Sequence, residues 1–94
     1  MKWVTEVASF GVTAAFEGGA TELKTVNASE SPASVASRKS AQLHALLSRC
    51  YGEGFDSFNR SDDELRESLM WLAADLANEV RTLCDLAAEV SNHE

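Results

Sequence analysis

Few side chains in this sequence are of a type that does chemistry, so their spacing is tested first. There are two cysteines, Cys50 and Cys84, and two histidines, His44 and His93. No Cys-x-x-Cys and no His-Glu-x-x-His occurs, so the ligand spacings of a zinc site are missing. His44 has no acid three or four residues away to make a helical metal or catalytic pair. Glu64, Glu67, Asp75 and Glu79 stand at helical spacing, but a di-iron bundle needs Glu-x-x-His pairs, and none is present. Gly18-Gly19 and Gly52-Glu53-Gly54 lack the Lys-Ser/Thr that would reach a phosphate and its Mg²⁺. Nucleophile, base and orienting group cannot be assembled from motifs. The chain reads as a non-enzyme with no cofactor and no metal, its carboxylates forming a solvated acidic face.

The element that must position anything else is the stretch from Asp62 to Ser91. Ser61 is an expected N-cap, with Glu64 three residues on completing a capping box. Asp62, Asp63 and Glu64 set negative charge on the positive end of the helix dipole. Apolar residues recur at Leu65, Leu69, Leu72, Leu76, Val80, Leu83, Ala87 and Val90, on one stripe of a helix. Thirty residues at 1.5 Å rise make a rod of about 45 Å. Ser31-Pro32 marks the start of an earlier helix, over about 32–52, with Val35, Ala36, Leu43, Leu46, Leu47, Cys50 and Tyr51 on its apolar side. Gly52 and Gly54 end it. Phe55 and Phe58 in the connector are expected to plug the end of the helix pair.

The expected fold is therefore mainly α: a two-helix antiparallel hairpin, about 32–52 and 62–91, dimerising into a four-helix bundle. Residues 1–31 form an N-terminal arm or a short β-hairpin, and 32–94 a helical hairpin domain. In the arm Trp3, Val4 and Val7 are apolar, but the run is short. Phe10, Val12, Ala14 and Phe16 alternate, Gly18-Gly19 turns, and 21–26 returns. On this pairing Cys50 and Cys84 lie roughly 30 Å apart along the axis, too far for a disulfide, whose Cα atoms lie within about 7 Å. Both read as small core residues.

Ninety-four residues bound one domain, and a net charge of −7 disfavours direct binding to nucleic acid or to an anionic membrane. No secretory signal and no membrane span is read, so a cytoplasmic location is expected. The first helix carries Arg38, Lys39 and Arg49 and no acid; the second has eight acids against Arg66 and Arg81. That asymmetry favours their pairing more than it stabilises it.

Two features point to partners. The last ten residues of the longer helix should overhang the shorter by roughly 15 Å. A second apolar flank, Met70, Trp71, Ala74, Ala77 and Cys84, exceeds what one neighbouring helix covers. A homodimer is expected, with Leu69, Met70, Trp71, Leu72, Leu76, Val80, Leu83, Ala87 and Val90 as its interface or as the surface for another protein. Trp71 stands out, since Trp dominates binding hot spots. The layout resembles that of small bacterial or phage-borne regulators, such as antiactivators that sequester a transcription factor, in size, charge and helix pattern only. The function expected is an acidic module that binds and inhibits a partner protein. The alternatives are a nucleic-acid mimic or anti-defence inhibitor acting through its acidic helix face, and a structural subunit of a helical assembly.

Overall fold

A computed structural model describes residues 5–93 of the chain; Trp3 and Val4 lie outside them. Three antiparallel strands come first, β1 (Thr5–Ser9), β2 (Val12–Glu17) and β3 (Ala20–Thr25), in the order β1-β2-β3. Three helices follow, α1 (Pro32–Cys50), α2 (Phe55–Arg60) and α3 (Asp63–Asn92), with a single 3₁₀ turn at Gly52–Gly54. The expected two-helix hairpin behind an arm or short β-hairpin is therefore corrected at both ends. The arm is a three-stranded meander, and the connector is itself helical.

The physical reasons are local. Phe10-Gly11 and Gly18-Gly19 each put two successive residues at positive φ, the backbone a two-residue hairpin turn requires. Ser9 therefore pairs with Val12, and Glu17 with Ala20. Phe10 belongs to a turn and not to the strand face it was grouped with. It is the bulky residue in a position that suits Asn or Gly, and its side chain is fully exposed. In the connector, Phe55 and Phe58 lie one turn apart and both meet the Tyr51 ring, Phe55 stacked and Phe58 tilted, at ring-centroid distances of 6.3 and 6.0 Å. That contact rewards a helical turn where glycines and polar residues suggest a loop.

The corner between α1 and α3 is tightly made. Gly52 adopts φ +68, in the left-handed region beyond the end of α1. A Cβ on Gly54 would overlap the backbone of Arg49, so the close approach of the corner to α1 requires glycine. Gly54→Ala should destabilise the fold by about 1–3 kcal/mol, as overpacking does; thermal unfolding measures it, and an unchanged midpoint would refute the contact. Ser61 caps the end of α2, its hydroxyl donating to the Ser57 carbonyl at 3.0 Å. Asp62, not Ser61, is the N-cap of α3, accepting from the Leu65 N–H at 2.8 Å. The inserted helix α2 has taken Ser61 and moved the cap on by one. Glu64 is then one residue short of the capping-box position. Arg66 holds the corner by donating to the Asn59 carbonyl and to the Asp63 carboxylate.

The helices pair antiparallel along a seam of 3.5-residue period. Val35, Ala36 and Cys50 of α1 and Leu76 of α3 are buried. Leu43 and Leu46 of α1 and Leu69, Ala73, Val80, Leu83 and Ala87 of α3 continue it, all half-buried. Lys39 meets Glu79 across the seam at 3.2 Å. Ala33 and Ala87 line one groove, so α3 outruns α1 only beyond Ala87. The overhang is about five residues, roughly 7 Å, shorter than the one expected because α2 shifts the register. Cys84 is exposed while Cys50 is buried, and both are free, which corrects the reading of both as core.

The sheet scarcely touches the helices and is joined to α1 by its lead-in residues. Ser31 caps α1 through the Ser34 N–H at 3.1 Å. Arg38 donates to Asn27 Oδ1 at 3.0 Å and to Glu30 Oε1 at 2.9 Å, tying the linker to the helix. The Arg38 hydrogen bond holds the Glu30 carboxyl below its ordinary value of 4.5. A depressed carboxyl adds stability that is present above its unfolded pKa and lost as pH falls through the folded one. The linker should therefore loosen only below about pH 4.5. Titrating the Glu30 carboxyl carbon by NMR checks the sign, and a midpoint above the ordinary value would contradict it.

Candidate protein interface

The faces of α3 decide what it can bind. Of the residues expected to form an interface, Leu69, Leu76, Val80, Leu83 and Ala87 turn toward α1 within the chain. Leu72 is 49% exposed, and half-buried Ala73 takes the seam position beside it. Val90 is open beyond the end of α1, and Leu86 is also exposed. Met70 is half-buried at the margin of the seam. The stripe read from the sequence thus leaves the contact line at Leu72, and Val90 finds no neighbour because α1 has ended.

Trp71 lies on the outer surface, 64% exposed. Five residues from Leu76, it points roughly 140° round the helix from the buried seam. With Glu67, Met70 and Ala74 it bounds a shallow depression of 280 Å³ that is mostly apolar apart from its Glu67 rim. Ala77 and Cys84, further along the same flank, are also exposed. Beside them a groove of 340 Å³ runs between the helices, lined by Ala33, Ala36, Ser37, Ser40, Val80, Cys84 and Ala87. No side chain in its lining carries charge. The groove itself is uncharged, and the Trp71 depression lies beside it with Glu67 on its rim.

The opposite side is charged and broken up. Glu79 is engaged by Lys39, and a second groove of 340 Å³ there runs from Thr25 at the end of β3 and Asn27 of the linker to Thr82 and Leu83. Asp75 is exposed, as is Glu67 at the rim of the Trp71 depression. His93 lies 3.8 Å from Glu89 at the exposed end of α3. Among the described residues no three His, Cys, Asp or Glu side chains converge to hold a metal ion.

The sheet carries a second apolar surface, on which Val7, Val12, Phe16 and Leu23 are all exposed; the alternation of Val12, Ala14 and Phe16 marks it in the sequence, and the pairing adds Val7 and Leu23. The signal for it lay in the two turn pairs, Phe10-Gly11 and Gly18-Gly19, eight residues apart. Together they space three strands and bring Val7 into the alternation.

The chain is thus a three-stranded meander followed by a helical hairpin with a short corner helix. No protein-family model matches it, and neither a curated protein nor a solved structure was found to be similar. No helix among the described residues is long and apolar enough to cross a membrane.

Proposed function

We propose that this chain is a non-enzymatic interaction module, a cytoplasmic homodimer that binds and inhibits another protein through the apolar flank around Trp71. The sequestering of a regulator by an antiactivator is the closest description of that action. The observation that carries the reading is surface in excess of a monomer's. A folded monomer of this mass exposes about 5,300 Å², whereas the chain exposes 7580 Å². Its radius of gyration is 17.0 Å, against about 12 Å for a compact domain of this length. The surplus of roughly 2,200 Å² per chain is of the size that obligate partners bury.

The alternative of an acidic mimic of nucleic acid needs a continuous row of free carboxylates. Glu79 is drawn into the Lys39 pair and Trp71 interrupts the row, which favours the apolar reading. Capture from the source cell with the wild-type chain and with Trp71→Ala, compared at low and high salt, is the test. Binding that depends on Trp71 and survives salt supports the proposal. Binding that ignores Trp71 and fails with salt, or with charge reversal at Glu67 and Asp75, replaces it with mimicry.

A further inference from the structure

Strand register sorts the side chains of the meander into two faces. Val7 stands opposite Ala14, Ala14 opposite Leu23, and Phe16 between Thr5 and Thr21. Directly opposed residues point to the same side of a sheet. One face therefore carries Val7, Val12, Ala14, Phe16 and Leu23 within a margin of hydroxyl side chains. The other carries Glu6, Glu17, Glu22 and Lys24, which are all the charged residues of the three strands. Among the described residues no helix covers the apolar residues of this face, and only Thr25 at its edge borders the helices: Val7 is 67% exposed and Leu23 70%. A small sheet with one apolar side is stable only when that side is covered.

We propose that this face packs on the same face of a second copy of the chain, as two sheets stacked about 10 Å apart. The inference rests on the homodimer reading and gives it a seam. Charge selects the occupant. Each copy carries −7 and repels the other, so copies meet most readily where neither presents charge. This face presents none. A basic foreign partner, drawn by the acidic chain, would find its complement on the opposite face of the sheet. Pairing of β1 or β3 edge to edge would leave Val7 and Leu23 in water and so does not answer the exposure. The patch is only about 14 by 17 Å from its strand spacing and rise, less than the ~800 Å² per partner of an ordinary interface. Helical surface must join it, and the excess exposed by the chain is sufficient.

The test is the molar mass in solution of the full chain, its Leu23→Lys variant and, on the other face, Glu22→Lys. Leu23 is exposed in the single chain, so helical content should be unchanged by circular dichroism. Wild type and Glu22→Lys should be dimers, and Leu23→Lys should weaken the dimer by a factor on the order of a hundred or more, as an unpaired charge in an interface does. A dimer that persists in Leu23→Lys overturns the sheet seam and leaves the homodimer standing. A monomeric wild type overturns both. A second measurement is independent of any loss of fold. In a Cys84→Ser background, Ala14→Cys should cross-link between chains with a short bis-maleimide, and Ala15→Cys, on the other face, should not. Equal cross-linking at the two positions overturns the seam.

Discussion

Trp71→Ala should weaken binding of the captured partner by at least about thirtyfold, or ~2 kcal/mol, the threshold of a hot spot. The size follows from where Trp71 stands. Its ring is largely open in the single chain, so it contributes little to folding and has its apolar surface still to bury. Met70 and Ala74 floor the depression beside it, and Glu67 supplies a polar rim. A large anchor with an apolar neighbourhood and a polar margin is the arrangement in which truncation is most costly. Titration calorimetry against the captured partner measures the loss, and thermal unfolding of the free chain controls it. The melting temperature should move little. If it falls as far as for a buried leucine, Trp71 is a structural residue and the binding reading fails. Trp71→Phe should recover part of the affinity, because area and not the indole N–H is what the depression offers.

How much of this was legible in the sequence depends on the range of the interaction responsible. Long helices announce themselves through caps and period, and α1 and α3 fall within a residue or two of their expected spans. The cap of α3 slipped from Ser61 to Asp62 because α2 needed Ser61 to end it, a competition between neighbours that no single-helix rule weighs. α2 itself rests on Tyr51 meeting the rings of Phe55 and Phe58, a contact visible only once Gly52 has turned the chain. The strand β1 is hidden because Thr5-Glu6-Val7-Ala8-Ser9 holds one large apolar residue. Its identity comes from pairing with β2. Trp71 was singled out by residue type, while its outward direction depends on which of Leu72 and Ala73 faces α1. Those two positions differ by 100° round the helix, and hydrophobicity alone favours the wrong one.

The second large effect lies in that seam. Leu76→Ala should destabilise the chain by about 2–5 kcal/mol, the range for a buried leucine that leaves a cavity. Leu76 is 8% exposed, and only Val35, Ala36 and Cys50 join it as buried apolar residues among those described. Domains of this length have only about 5–14 kcal/mol in total. The loss is therefore a large share, and a fall in melting temperature of roughly 10–30 °C follows. The thinness of this core makes a further demand. If much of the stability comes from association, the melting temperature must rise with protein concentration, in the wild type and in Leu76→Ala alike. Leu72→Ala, four residues earlier and half exposed, separates the two contributions. At concentrations low enough for the chain to be monomeric it should cost well under half of what Leu76→Ala costs. Equal losses there would set α1 against the wrong face of α3 and sink the seam described above. A melting temperature indifferent to concentration would instead remove the homodimer, and with it the stacked sheets, while leaving the Trp71 surface to be judged by its own variant.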